Sequence, residues 1–188
     1  IDIVRTLSRD GTVDYNGQIF RANTEFTIAE RSHIPILLAA LGPRMLKIAG
    51  EAAEGTITWM TGVQTLRTHI IPTINRAAEE IGRDKPRVVA AVPVAVTEDR
   101  SAAFKQANVY FGRYGQLPSY RAMLDREGVE SPAEMALLGN EEAVEEKLRD
   151  YAEAGVTDLA VQIYPVGPEP HASIARTRNL LRSLIGKL

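Results

Sequence analysis

The 188-residue chain carries 22 basic and 24 acidic side chains, and its formal net charge of −2 argues against a nucleic-acid binder or a polybasic membrane-surface protein. Apolar residues make up 45% of the chain, which is enough for one domain with a buried core. Cysteine is absent, which excludes disulfides and thiol chemistry, and no secretory signal or membrane-spanning run is visible, so we expect a cytoplasmic protein.

The first predicted elements are the end of a helix and a surface hairpin. The helix pattern ends at Gly11, and because the chain starts at Ile1 instead of a methionine, we interpret it as the cut end of something longer. Asn16 and Gly17 lie between apolar residues. This dipeptide predicts a hairpin over residues 12–24, because both residues tolerate a positive φ.

After the hairpin, apolar runs of strand length alternate with helical patterns. The run over residues 36–41 is uniformly apolar, as expected of a parallel strand that is covered on both faces. The helix that follows is expected to place Met45, Ile48, Ala49 and Ala52 on one stripe. The predicted strands are residues 36–41, 56–60, 88–96 and 158–164, and the predicted helices are residues 43–53, 64–81, 99–112, 140–155 and 171–186.

Four strand–helix units in succession predict a parallel α/β fold. A doubly wound sheet and a piece of a (β/α)8 barrel both fit this alternation, and four units are about half of the eight that a full barrel needs. Residues 115–138 have the pattern of short helices and turns, and we interpret them as a helical insertion outside the core. The aromatic and basic side chains of this region either line a lid or tie the insertion down; they are Tyr114, Tyr120 and Arg121.

The junction at residues 41–45 (LGPRM) is the first candidate binding site, because ligands of parallel α/β folds gather at the carboxyl ends of the strands. Gly42 lets a ligand approach the backbone closely, and Pro43 suits the first helical position because it has no N–H to lose. The amides of residues 44–46 are then expected to be free at the positive end of the helix, where phosphate or carboxylate binds. The alternative is a Gly-Pro dipeptide that only starts a helix.

The residues that close the next strand, Trp59, Met60 and Thr61, form a second candidate site. Trp59 either flanks a flat ligand ring or covers part of the core. No Gly-x-Ser-x-Gly elbow and no glycine-rich dinucleotide fingerprint occurs. The histidines do not share a spacing that suits a metal, so we predict no metal site and expect a solvated position for the second of them; they are His33, His69 and His171.

Several segments resemble the luciferase-like monooxygenases and occur in that family's order. PILLAALGPRMLKIAGEAAEGTITWMTG is similar to the part of the family in which strand five leads through a Gly-Pro turn into a helix ahead of strand six. AAEEIGRDKPRVVAAVPVAVTED, LPSYRAMLDREG and LLGNEEAVEEKLRDYAEAGVTDLAVQ follow, so the resemblance extends over residues 12–185. LPSYRAML is most similar to the branch that uses the deazaflavin coenzyme F-420. Glu54 departs from the family, which usually has Asp there, and we expect its carboxylate at a helix end.

The resemblance implies a parallel (β/α)8 TIM barrel, of which this chain, as a single domain over residues 1–188, supplies about the last four βα units. It also implies a cofactor ring and a substrate near Trp59, Met60 and Thr61. The catalytic residues are unknown, and the resemblance implies that they lie in strands one to four, which this chain does not contain. The residues implied to surround the cofactor phosphate are Gly42, Pro43, Arg44 and Met45, with Leu41 beside them.

The activity implied by the resemblance is hydride transfer between reduced coenzyme F-420 and a small organic substrate. Two alternatives stay open. One is an FMN-dependent monooxygenase, because the Gly-Pro turn serves either cofactor. The other is a non-catalytic half-barrel remnant that binds a ligand or dimerises. We expect a homodimer, since half a barrel leaves a sheet edge exposed.

Overall fold

A parallel sheet packed against helices forms the body of the molecule, and a two-stranded hairpin precedes it. The structure is a computed structural model that describes residues 1–27 and 32–188. No helix in these ranges is long and apolar enough to cross a membrane. The elements are α1 (Asp2–Asp10), β1 (Thr12–Asn16), β2 (Arg21–Glu25), β3 (Leu37–Ala39), α2 (Pro43–Ala52), β4 (Gly55–Trp59), α3 (Val63–Thr65), a π-helical turn (Leu66–Ile70), α4 (Ile71–Glu79), β5 (Arg87–Val96), α5 (Arg100–Phe111), a 3-10 helix (Gly112–Gln116), α6 (Pro118–Glu127), a second 3-10 helix (Pro132–Met135), β6 (Leu137–Gly139), α7 (Glu141–Glu153), β7 (Asp158–Ile163) and α8 (Pro170–Leu184).

The hairpin forms between β1 and β2, which pair antiparallel directly after α1. Its loop covers residues 17–20, and the amide of Gly17 donates to the carbonyl of Phe20 at 3.0 Å. Neither Asn16 nor Gly17 has a positive φ. The predicted hairpin is present, but its longer loop reverses the chain without the left-handed conformation that the dipeptide permits.

The sheet places β4 between β3 and β5, and β7 pairs with the other edge of β5, all in parallel. Its register sets Trp59, Ala91 and Ala160 side by side on three neighbouring strands. The short strand β6 adds to the last three residues of β5. It lies partly within residues 115–138, so the sheet has five strands in the described part of the chain, one more than the four predicted.

The main core lies between the sheet and the helices. Alternate residues of β5 from Val88 to Val96 point toward the helices and are almost fully buried, together with Leu46 of α2. The opposite face is more open at the edge of the sheet, since Ala39 of β3 is exposed and Leu37 is only half-buried. The prediction of a strand covered on both faces is thus wrong for β3, because the described helices pack on one face of it.

The buried stripe of α2 differs from the predicted one. Leu46 and Ala49 are 0% exposed and Gly50 is buried, whereas Met45 and Ile48 are 41% and 37% exposed. The helix is rotated toward the side of Gly50, because a residue without a Cβ lets the backbone of α4 approach closely. A pattern that counts only larger apolar residues misses this contact.

The segment 115–138 belongs to the core instead of lying outside it. Met123 and Leu124 of α6 and Met135 are at most 4% exposed. Met123 belongs to the main core, whereas Leu124 and Met135 belong to a second buried cluster, in which Met60 and Tyr164 pack after the carboxyl ends of β4 and β7. The interpretation of this segment as a peripheral insertion is therefore wrong: its apolar side chains close that end of the molecule.

Candidate functional site

The Gly-Pro turn (residues 41–45) joins β3 to α2 and ends in an open helix tip. Gly42 is the N-cap residue, with φ of −82° and ψ of 155°, and no side chain in the described part of the chain caps the helix. Within the described residues, the amides of Arg44 and Met45 have no hydrogen-bond partner. The amide of Leu46 is not free as predicted, because it donates to the Gly42 carbonyl at 3.0 Å and starts the helix. A Cβ on Gly42 would meet no atom of the described residues within 4 Å.

Other helix tips at this end of the sheet are capped by the protein's own side chains. The carboxylate of Glu127, at the end of α6, accepts hydrogen bonds from the amides of Gln64 at 3.1 Å and Thr65 at 2.7 Å, at the start of α3. Asp99 caps α5 and Asn140 caps α7 in the same manner. An anionic or polar oxygen thus fills each of these tips, as helix electrostatics favour.

The uncapped tip of α2 lies closer to the end of the preceding strand than the uncapped tip of α8 does. α8 also begins without a side-chain cap, but residues 164–169 separate it from β7, whereas only residues 40–42 separate α2 from β3. Arg44 is exposed and has no ion-pair partner within the described residues. The free amides, the positive end of the helix and this guanidinium together suit a phosphate or carboxylate.

His69 holds the other side of the Gly-Pro turn. It lies in the π-helical turn, is 8% exposed, and places its Nε2 2.9 Å from the carbonyl oxygen of Leu41. Because a carbonyl only accepts, Nε2 donates the hydrogen. The expectation of a solvated His69 is wrong. One sequence feature could have predicted that His69 is buried: it lies three residues after Leu66, on the apolar face of the helix.

An open cavity of about 500 Å³ lies at the carboxyl half of the sheet. Ala91 and Ala160 supply small side chains there, Trp59 and Tyr114 supply aromatic walls, and Gln162 supplies an amide; Val161 completes the lining. None of these side chains carries a charge at neutral pH. A flat, uncharged ring with hydrogen-bonding edges is the type of ligand that such a cavity accepts.

The three rim residues predicted from the sequence occupy different environments. Trp59 lines the cavity, and its ring packs edge-on against Phe111 and Tyr114 at centroid distances of 5.8 and 5.9 Å. Its indole Nε1 is buried without a hydrogen-bond partner among the described residues. Met60 and Thr61 are 0% and 1% exposed and do not line this cavity, so their place beside a ring or substrate stays a prediction.

Tyr151 of α7 fixes the backbone of this rim, and sequence patterns alone did not indicate this role. Its hydroxyl donates to the carbonyl of Thr61 at 3.2 Å, and burial raises the pKa of Tyr151 well above its ordinary value, so it remains a neutral donor. Met60 beside it has a positive φ of 52°, a conformation that non-glycine residues rarely adopt. The rim is thus a constrained turn held by a buried hydrogen bond.

Arg121 ties the end of α6 to the segment that follows it. Its guanidinium donates to the carbonyls of Val129 at 2.8 Å and Glu130 at 2.7 Å, and pairs with Asp125 at 2.8 Å. These contacts favour the tying role over a lid for Arg121, whereas Tyr114 faces the cavity. Within the described ranges, no group of three or more His, Asp or Glu side chains is placed to hold a metal ion.

Comparison with known proteins agrees with the predicted resemblance. The family model described as luciferase-like monooxygenase matches residues 1–158. A 5,10-methylenetetrahydromethanopterin reductase of Methanopyrus kandleri is 24% identical over 204 residues, which cover 92% of this chain and 58% of the relative. An F-420-dependent glucose-6-phosphate dehydrogenase of Mycolicibacterium gilvum is 24% identical over 164 residues, which cover 86% and 47%. The chain spans about half the length of the curated relatives it matches.

Solved structures share the fold. An F-420-dependent secondary alcohol dehydrogenase, in complex with an F-420–acetone adduct, superposes with a TM-score of 0.77 at 18% identity and covers 97% of this chain and 59% of that one. A type II Baeyer–Villiger monooxygenase of Pseudomonas putida, in complex with FMN, gives 0.64 at 15% identity, with 96% and 59% covered. The predicted parallel α/β fold of TIM-barrel type, present here in part, is confirmed. The chain belongs to the luciferase-like monooxygenase family.

Proposed function

We propose that this chain is part of an oxidoreductase that transfers a hydride between reduced coenzyme F-420 and a small organic substrate, with the cofactor phosphate held by the Gly-Pro turn. The observation that carries the proposal is the open tip of α2, where the amides of Arg44 and Met45 are free among the described residues and Gly42 leaves room for a ligand. The neighbouring tip of α3 is filled by the carboxylate of Glu127 and has no such room.

The relatives support the choice of cofactor. Both curated sequences compared above are about half covered by this chain, and the dehydrogenase is F-420-dependent by its name. The solved secondary alcohol dehydrogenase contains an F-420–acetone adduct. F-420 carries a phosphate on the tail of a flat deazaflavin ring, which suits an anion site and an uncharged cavity that both lie toward the carboxyl end of the sheet.

Each part of the site then has a defined task. The amides of Arg44 and Met45 bind the phosphate, and the Arg44 guanidinium adds charge. Ala91 and Ala160 leave space for the ring over the sheet, and Trp59 shields one side of it from water. When bound, the reduced cofactor supplies the hydride, and the protein supplies orientation and electrostatics.

A substitution at Gly42 tests this proposal. The φ of −82° suits alanine and a Cβ meets no atom of residues 1–27 and 32–188 within 4 Å, so Gly42→Ala should leave the melting temperature unchanged. The added methyl group occupies the approach to the free amides, and we expect about tenfold weaker binding of F-420, measured by its fluorescence.

The deazaflavin nucleoside that lacks the phosphate is the matched control ligand, and Gly42→Ala should not change its affinity. Equal loss for both ligands, or no loss for F-420, would contradict a phosphate contact at this turn. No binding of F-420 by the unaltered protein would remove the proposal.

Titration with FMN tests the alternative cofactor. The fold is shared with an FMN-containing monooxygenase, and the Gly-Pro turn suits the phosphate of either molecule. FMN binding that is tighter than F-420 binding would favour a flavin monooxygenase over the F-420-dependent activity.

A further inference from the structure

We propose that His69 is a positioning residue for the Gly-Pro turn: by donating to the Leu41 carbonyl it orients the Leu41–Gly42 peptide, so that the Gly42 N–H joins the free amides of α2 as an anion donor. This inference rests on the proposed function, since it deepens the role of the same turn. It adds a buried residue from another helix to the site.

The planar peptide bond connects His69 to Gly42. The carbonyl of Leu41 and the N–H of Gly42 belong to the same trans peptide unit and point in opposite directions. The Nε2 of His69 binds this carbonyl at 2.9 Å, so the N–H on the other side of the unit must point away from the His69 helix. Within the described residues this N–H has no partner.

The hydrogen bond also strengthens the donor. A donor on the carbonyl side polarises the amide, and the N–H of the same peptide becomes a better donor to an anion. The low exposure of His69 keeps water from competing for the Leu41 carbonyl.

The helix that presents His69 is itself held at two points. At its start, Glu127 accepts hydrogen bonds from the amides of Gln64 and Thr65. Further along, Gly50 of α2 packs so closely that an added Cβ would lie 2.5 Å from the Ile74 carbonyl oxygen. His69 lies between these two points. Its hydrogen bond therefore holds the Gly-Pro turn at a defined position relative to a fixed helix.

The π-helical turn sets the direction of the His69 side chain. A π-helical turn contains one residue more than a regular turn, and it rotates the residues that follow relative to those before it. Such turns occur frequently at functional sites. In this chain the widened turn covers Leu66–Ile70 and contains His69.

Titration of the full chain with inorganic phosphate, followed by NMR of the backbone amides, tests the inference. In the unaltered protein we expect the amides of Gly42, Arg44 and Met45 to shift with one common saturation curve. The amide of Ala143, which Asn140 already caps, serves as the internal control and should not respond.

Two variants of His69 separate positioning from general stability. His69→Gln places an amide nitrogen near the position of Nε2 and should keep the phosphate affinity within about twofold. His69→Asn is too short to reach Leu41, and we expect about fivefold to tenfold weaker phosphate binding, with the Gly42 amide losing its response first. Melting curves of both variants check that the fold is retained.

Several outcomes would overturn the inference. These are shifts at Arg44 and Met45 without one at Gly42 in the unaltered protein, unchanged binding in His69→Asn, and equal losses in both variants. The missing shift at Gly42 is measured on the unaltered protein, so this outcome tests the inference even if His69→Asn fails to fold. No response of any of the three amides would also overturn it. Failure of F-420 to bind, with phosphate still engaging the three amides, would contradict the proposed function and leave the role of His69 intact.

Discussion

At the scale of single residues, Arg44 is the charged side chain of the first turn of α2, and it lies at the end of the helix that favours negative charge. A cation there is unfavourable for the isolated helix. It becomes favourable when an anion binds between the guanidinium and the free amides. The unpaired, exposed state of Arg44 among the described residues is consistent with a ligand contact.

Arg44→Ala and Lys47→Ala form a matched pair on the same helix. Lys47 is also exposed, but it pairs with Glu51 at 3.6 Å and lies beyond the first turn. We expect Arg44→Ala to weaken F-420 binding about fivefold to tenfold, since one charge-assisted contact to the phosphate is lost. Lys47→Ala should change it less than about twofold.

The salt dependence of F-420 binding gives a second test of Arg44→Ala and Lys47→Ala. Binding to the unaltered protein should weaken as ionic strength rises, and Arg44→Ala should reduce that dependence. Equal effects of the two substitutions would indicate that the overall electrostatic field of the protein attracts the phosphate, and that Arg44 makes no specific contact with it at the turn. Fluorescence titration at two salt concentrations distinguishes these results.

The residues of the turn were largely predictable from sequence, whereas His69 was not. Gly42 and Pro43 have local conformational roles that their chemistry reveals. The partner of His69 is a backbone carbonyl 28 positions away, and no local pattern specifies that contact. Glu127 and Tyr151 act on their targets over longer separations in the same way.

At the scale of elements, the packing of α2 on α4 depends on Gly50. A Cβ at this position would lie 2.5 Å from the Ile74 carbonyl oxygen and 2.8 Å from the Cβ of Ala77. The nearest of these atoms is backbone, so the two helices themselves must separate to relieve the clash. This contact sets the height at which α2 lies on the sheet and, with His69, the position of its tip.

Gly50→Ala should therefore destabilise the protein by roughly 1–3 kcal/mol, the usual cost of overpacking. Gly112→Ala is the matched control: a Cβ there meets none of the described atoms within 4 Å, and the φ of −54° suits alanine. Its free energy of unfolding should stay unchanged or rise by up to about 1 kcal/mol. Urea unfolding measures the free energy of unfolding of both variants. Equal values for the two would show that α2 and α4 are not closely packed.

The same elements show where sequence patterns were sufficient. The helix over residues 140–155 and the strand over residues 88–96 were predicted, and the structure has both as α7 and β5. Residues 115–138 were assigned to the periphery because their short apolar stretches lack a long period. Their burial depends on the second buried cluster, in which Leu124 and Met135 pack with residues of several distant elements.

At the scale of the whole molecule, Glu54 connects α1, α2 and the sheet at the end opposite to the Gly-Pro turn. It follows the end of α2, as expected, and accepts hydrogen bonds from Arg5 at 2.8 Å, the Ile36 amide at 2.7 Å and Arg83 at 3.4 Å. Partial burial opposes ionisation, but the Ile36 amide and the charges of Arg5 and Arg83 outweigh it, so the pKa of Glu54 lies below its ordinary value of 4.5. The departure from the family's aspartate is thus accommodated.

Glu54→Gln should lower the free energy of unfolding at pH 7 by about 1–2 kcal/mol, since charge-assisted hydrogen bonds are lost at a site that is only partly screened. Because the folded pKa is depressed, the contribution of Glu54 is present above pH 4.5 and is lost as pH falls through the folded pKa. The difference between the two proteins should therefore shrink in acid.

Glu51→Gln is the control for this measurement, because the ion pair that Glu51 makes among the described residues is the exposed one with Lys47. Its effect should stay below about 0.5 kcal/mol at any pH. A difference between Glu54→Gln and the unaltered protein that grows on acidification would contradict the assignment. The homodimer stays a prediction, which sedimentation equilibrium of the full chain checks.

The sequence by itself determined the alternation of strands and helices and the Gly-Pro turn, because each depends on local periodicity or on the conformational limits of glycine and proline. It also indicated the family, through segments that resemble the luciferase-like monooxygenases and occur in their order. Tertiary structure alone decided which distant residue caps the start of α3 and which one holds the Gly-Pro turn. Capping by Glu127 joins positions 62 apart and the anchor at His69 joins positions 28 apart, so both exist only once the helices have packed on the sheet.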